Sequence, residues 1–116
     1  MSDRSPGEDD PSVVVYRVVD EVELTYLEAI GNYGSNPSQS GKYFALTLEG
    51  ARAFAGAPMN TGSTITATTL PRSVTSRGVT FIDPGSNGAG LSIFFSQQQL
   101  GDVYGTMSRP VIRKER

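Results

Sequence analysis

The sequence predicts an α+β domain, and three stretches carry that prediction. Residues 13–19 (VVVYRVV) form a nearly continuous β-branched run that leads directly into an acidic helix signal. Residues 41–55 (GKYFALTLEGARAFA) read as a short strand, a Thr helix start and a short helix. From residue 63 onward, Thr-rich and aromatic runs separated by Gly, Pro and Asn read mainly as strands. Helices come early and sheet comes late, with two short helices in the N-terminal half, which is an α+β order.

Residues 1–12 (MSDRSPGEDDPS) are polar, acidic and proline-punctuated, and read as a disordered tail or linker stub. Val13 to Val19 suits a strand buried on both faces. Arg17 interrupts it, and a charge there needs a partner. Two readings stand side by side: a structural ion pair, or an Arg at a cleft presenting its planar fork of donors to an anionic ligand. Asp20 then caps a helix, with Glu23 three residues on as in a capping box. Leu24, Leu27 and Ile30 mark one buried stripe, Glu21, Glu23 and Glu28 read as surface groups, and Gly31 stops the helix.

Asn32 to Ser40 is a turn-rich loop of small polar residues around Tyr33, the kind of surface segment that carries binding contacts. Tyr43 to Leu46 follows as a short buried strand. Thr47 caps the next helix, which ends near Gly56. Gly50 weakens that helix by about 1 kcal/mol relative to Ala, which implies close packing or a very short helix. Residues 63–70 form a Thr-rich strand with Ile65 and Ala67 on one face. Pro71 to Val74 is a turn or helical turn, and Val79 to Ile82 is a strand. Asp83 to Gly90 is a Gly-rich connection that lacks the Lys and the Ser/Thr of a phosphate loop. Leu91 to Phe95 is a strand, Ser96 caps a turn over Gln97 to Gln99, and Val103-Tyr104 and Pro110 to Ile112 read as final short strands.

Composition bounds the chemistry. At 116 residues and 37% hydrophobic content the chain is one domain, read here as residues 13–108, with a modest core. With 13 Gly and 7 Pro it is loop-rich. No apolar run approaches the ~18 residues of a membrane span, and the polar, acidic N-terminus does not read as a signal peptide. There is no Cys, which excludes disulfide scaffolds and Cys-type metal sites. There is no His either, which removes His-based triads, His general bases and the usual zinc sites. Chemistry falls to carboxylates, Arg/Lys, Tyr, Ser/Thr and amides. The net charge is −2, and residues 12–108 hold fewer bases than acids, which argues against a nucleic-acid face. The basic residues cluster in 109–116, read as a solvated C-terminal tail.

Three segments together resemble a known family. They are Tyr16-Arg17-Val18-Val19 with its acidic helix, Gly41-Lys42-Tyr43-Phe44-Ala45 with the following Ala-Arg-Ala-Phe, and Ile93 through Leu100 (IFFSQQQL). In this order they look like the C-terminal ADP-ribosyltransferase-fold toxin domains of bacterial polymorphic (Rhs-type) effectors, some of which modify the translation factor EF-Tu. The resemblance implies a split β-sandwich with NAD, as substrate, in the cleft between two sheets. It assigns Arg17 to the NAD phosphates, Tyr43 to the nicotinamide face and Gln98 to the ribose, with Tyr16, Phe44, Ser38 and Gly41 also at the NAD site. It further implies an effector delivered into a target-cell cytoplasm during interbacterial competition, a protein target there, and a cognate immunity protein.

The residue types suit that chemistry: Arg for pyrophosphate, an aromatic face for nicotinamide, a carboxylate for the cationic ribose transition state. Gln98 stands where a carboxylate would be strongest, and an amide brings no charge. Asp83 and Asp102 are the nearest acids; the first reads as a turn former and the second as a surface acid. Without the resemblance, Tyr43 and Phe44 read more readily as core aromatics than as ring-stackers, and Gln97 to Gln99 as a polar helical face. Two further readings therefore stand beside an NAD-consuming transferase or glycohydrolase: a non-catalytic NAD- or protein-binding domain on the same fold, and a nuclease, against which the missing His and the acidic core argue.

Overall fold

The computed structural model describes residues 10–34, 40–56, 63–82 and 90–113. Its elements run β1 (Ser12–Val19), α1 (Glu21–Ile30), β2 (Gly41–Ala45), α2 (Leu48–Ala55), β3 (Thr64–Pro71), α3 (Arg72–Thr75), β4 (Val79–Ile82), β5 (Leu91–Ser96), a 3-10 turn (Gln97–Gln99), α4 (Leu100–Thr106) and β6 (Val111–Arg113). The strands form one antiparallel sheet in the order β4-β5-β2-β1-β3-β6. None of the described helices is long and apolar enough to cross a membrane.

Pairing strength varies sharply across the sheet. β1 and β3 stay in register from Ser12↔Pro71 to Val19↔Thr64, and β2 and β5 from Gly41↔Ser96 to Ala45↔Ser92. β1 and β2 meet only at Tyr16↔Ala45. That seam divides the sheet into a β1/β3/β6 half and a β2/β5/β4 half.

Side-chain alternation gives each half two faces. Val15, Val19, Phe44, Leu70, Ile93 and Phe95 face one way and are closed over by Leu27 of α1, Val74 of α3, Leu100 and Val103 of α4, and Tyr33. This is the core. On the opposite face, α2 lies across β1 and β3 with Ala51 fully buried, and β2, β5 and β4 carry Tyr43, Phe94 and Phe81. The two buried Thr hydroxyls of β3 are satisfied: Thr66 pairs with the Tyr33 hydroxyl (2.7 Å) and donates to the Arg17 carbonyl (2.9 Å), and Thr68 donates to the Ser108 carbonyl.

Local signals hold at the caps. Asp20 accepts from the Glu23 N–H (2.9 Å), Gly31 closes α1 at φ 76°, and Thr47 accepts from the Gly50 N–H (3.0 Å). Gly50 is buried beside Gly90; a Cβ on Gly90 would lie 2.4 Å from the Thr47 hydroxyl, so close packing explains both glycines.

Several expectations are corrected. Val103-Tyr104 lies in α4, not a strand: Leu100 and Val103, one helical turn apart, both reach the core. The C-terminal half is therefore helical as well as stranded. Ile30 is 58% exposed, because the face α1 turns toward the sheet is built from Glu23, Leu24 and Leu27. Val14 is 45% exposed, so β1 is not buried throughout both faces. Residues 10–12 and 111–113 belong to the folded unit, the former through β1 and the Asp10 contacts, the latter as edge strand β6 on β3.

Pro71 brings no side-chain cap to α3, and Asp10 supplies one from across the chain. Its carboxylate accepts from the Ser73 N–H (2.9 Å) and the Ser73 hydroxyl (2.6 Å), while the Pro11 carbonyl accepts from the Arg72 N–H (2.9 Å). The Ser73 hydroxyl, and next its N–H, hold the Asp10 carboxyl below its ordinary 3.8. A depressed carboxyl stabilises the fold above the unfolded-state value and loses that contribution as pH falls through the folded-state value. The melting temperature of Asp10→Asn should thus lie below wild type at pH 7, with the gap closing as pH is taken down through and below 3.8.

Candidate functional site

The site begins at the β1/β2 seam. Once the ladder stops at Tyr16↔Ala45, the Tyr43 carbonyl takes its hydrogen bond from Arg17 Nη1 (2.7 Å) instead of from a β1 amide. Arg17 Nη2 donates to Glu23 Oε1 (2.9 Å) and Nε donates to Glu23 Oε2, a side-on bidentate pair. Lys42 Nζ donates to the same Oε1 (3.2 Å). The guanidinium also lies 5.8 Å from the ring centroids of both Tyr33 and Phe44. Arg17 and Glu23 side chains are only 15% and 13% exposed, and Lys42 4%. Glu23 is therefore no surface group; it caps nothing with its side chain and instead ties α1 to both strands at the seam.

On the opposite face of the sheet, at the same seam, is a cleft of about 610 Å³. Tyr16, Arg17 and Val18 come from β1, Tyr43, Phe44 and Ala45 from β2, Ala51 and Phe54 from α2, and Phe81 and Ser92 from β4 and β5. Its size falls within the range of about 300–1,000 Å³ common for small-molecule sites. Tyr43 is 52% exposed and braced by Phe94 (4.8 Å between centroids, tilted) and Phe81 (5.6 Å, edge-on). Its ring offers a planar surface that is fixed yet open. Phe44 is 1% exposed, edge-on to Tyr33 and Phe95, and its ring serves the core.

The structure therefore brings Tyr16, Arg17, Tyr43 and Phe44 to the same seam, with the Tyr16 and Tyr43 side chains on the cleft face and those of Arg17 and Phe44 on the core face. Gln98 is elsewhere, exposed, beside Arg77 and Asp102 at a hollow of about 70 Å³. Asp102 is 78% exposed and 3.8 Å from Arg77, a surface acid as read. Gly41 is buried at the start of β2, opposite Ser96, and a Cβ there would fall 2.0 Å from the Phe95 carbonyl oxygen; steric fit against β5 accounts for it. Ser38 and Asp83 lie outside the described residues.

Sequence reasoning passed over Glu23, Ser92, Phe54 and Phe81. Phe54 had a signal, three residues after Ala51 on the apolar side of a helix. Ser92 had one too, a small polar residue in an otherwise apolar strand. Glu23 had none beyond its nearness to Arg17.

Chemically, the cleft can stack a flat ring and donate hydrogen bonds. Among the described residues its lining includes no carboxylate. Burial pushes the nearby Tyr33 hydroxyl up to about 12 and raises that of Tyr104, whose O–H donates to the Gly34 carbonyl. Both are neutral donors near pH 7, not bases. Comparison with known protein-family models, curated proteins and solved structures gives no match for this chain.

Core and cleft roles separate by substitution. Phe44→Ala should cost about 3–5 kcal/mol in chemical denaturation, and Tyr43→Ala only about 1 kcal/mol, since half of that ring is already in water. Gly41→Ala should cost about 1–3 kcal/mol through overpacking against β5, whether or not a ligand is present.

Proposed function

We propose that this chain is an NAD-using domain of the ADP-ribosyltransferase type, of the kind carried by bacterial polymorphic toxins, with NAD bound at the β1/β2 seam. One observation carries the reading: the sheet comes apart at the position where Tyr16, Arg17, Tyr43 and Phe44 converge, and an aromatic-walled cleft opens there. A seam between two half-sheets is where the resemblance would put NAD, and the braced Tyr43 ring suits nicotinamide. In the reaction the ribose C–N bond breaks and nicotinamide leaves with the electron pair. An acceptor oxygen or nitrogen bonds the ribose carbon and releases its proton. A protein acceptor makes the domain a transferase, and water makes it a glycohydrolase. A target protein in a recipient cell and an immunity partner belong to the same reading.

A second reading, NAD binding without turnover, draws on a specific observation. Gln98 is remote from the cleft, and no carboxylate stands among the described lining residues to stabilise a ribosyl cation.

Nicotinamide release from NAD by the purified protein, with and without bacterial lysate, tests both. Release that falls at least about tenfold in Arg17→Ala and Tyr43→Ala is expected, that being the scale of one charged hydrogen bond or one ring contact. Gln98→Ala should leave release unchanged. Binding of NAD by calorimetry with no release would favour the second reading, and absence of both would refute the NAD assignment.

A further inference from the structure

Two exposed apolar patches of this protein are opposite in charge, and they adjoin. The first lies on α1. Val22, Tyr26 and Ile30 recur every four residues, which places them along one side of the helix, and all three are exposed. The Tyr26 ring rests against Gly34, where a Cβ would lie 3.3 Å from it. Glu21 and Glu28 are exposed on the same helix and Asp20 at its cap, and residues 20–30 contain no Lys or Arg. The second patch is β6. Val111 and Ile112 are exposed there, and so are Arg109 and Arg113 on either side of them. Residues 109–116 hold four bases and one acid. Ile112 pairs with Thr66, whose hydroxyl meets Tyr33 in the core, so Ile112 lies on the face of the sheet that α1 covers. Arg109 comes so near the end of α1 that a Cβ on Gly31 would lie 2.8 Å from its Nη1.

We infer that the two patches meet across a two-fold axis: α1 of one copy of this chain packs on β6 of a second copy, and the second copy's α1 packs on β6 of the first. Charge chooses this pairing. α1 against α1 would bring the Glu21 and Glu28 carboxylates of both copies together, and β6 against β6 would do the same with Arg109 and Arg113. α1 against β6 covers apolar surface on both elements and sets acids against bases. Pro110 and Arg113 discourage a further strand from adding at the β6 edge, which favours a helix as its cover. Because the two patches adjoin at Gly31 and Arg109, both contacts form at once and the pair closes on itself instead of running on as a filament. The cleft opens on the other face of the sheet, so the association leaves it accessible and does not rest on the NAD reading.

The test is sedimentation velocity of the full chain from low micromolar to near-millimolar concentration, in low and in high salt. A dimer should form as concentration rises, and form less readily in high salt, where the charges are screened. Two double variants at exposed positions examine the pairing: Glu21→Lys with Glu28→Lys, and Arg109→Glu with Arg113→Glu. Each by itself should raise the dimer Kd at least about tenfold, the scale of one or two reversed charge pairs. Mixed in equal amounts, the two should recover a dimer close to wild type. Each contact in the mixed pair again joins acid to base, one in the native sense and one reversed.

Circular dichroism melts check that each variant is folded. If the Arg109 variant is not, Val22→Ser with Ile30→Ser tests the same contact from its apolar side and should also raise the dimer Kd. A wild-type protein that stays monomeric at every concentration would overturn the inference. So would a dimer that neither the charge reversals nor the serine variant weakens, or a mixture of folded charge variants that fails to associate.

Discussion

Between β1 and β2 the backbone ladder ends after one residue pair, and the hydrogen bonds that would continue it are replaced by a side chain. Arg17 donates to the Tyr43 carbonyl across the gap and grips Glu23 on the helix that follows β1. A charged group in a strand this apolar would be costly without those partners, and removing one partner of such a pair typically costs about 3–5 kcal/mol. The same bonds bridge the two half-sheets where the ladder is missing. Lys42, 4% exposed on β2, shares the carboxylate and brings the second half of the sheet into the arrangement.

The two faces of the sheet divide the labour. One is sealed by α1, α3, α4 and Tyr33 over a continuous aliphatic and aromatic core. Among the described elements, the other receives α2 alone, whose close approach depends on Gly50 meeting Gly90 without side chains between them. Because α2 lies over β1 and β3, the β2/β5/β4 half keeps its aromatic surface open, and the cleft is the boundary between covered and uncovered sheet. Tyr43 and Phe44 show the consequence. They are neighbours in sequence, but alternation sends one ring to the cleft wall and the other to the core, so the two residues are not interchangeable parts of one site.

Much of the fold was legible in the chain. The β-branched run, the Asp20 and Thr47 caps, the Gly31 stop and the Thr-rich strand are local signals, decided by propensity and by orphan backbone groups at helix ends, and they hold. The failures are those of short segments whose state depends on what they touch. Val103-Tyr104 has the composition of a strand, yet it is helical because Leu100 and Val103 reach the core together only at helical spacing. Ile30 continues a periodic stripe, yet it is left 58% exposed at the end of α1.

For the site, one residue type at a fixed position was readable: an Arg amid valines needs partners. From the residues alone, the sequence determined that any chemistry here works without His or Cys, that strand and helix alternate through the N-terminal half, and that Arg17 is the anomaly of β1. Tertiary structure alone decided the rest. It placed Gln98 away from the cleft, put Ser92 and Phe81 into it, and turned Glu23 from an apparent surface acid into the partner of two buried cations. The physical reason is that pairing across a sheet and the covering of its faces join residues far apart in the chain. Local sequence sets which groups must be satisfied, and only the packed structure settles by whom.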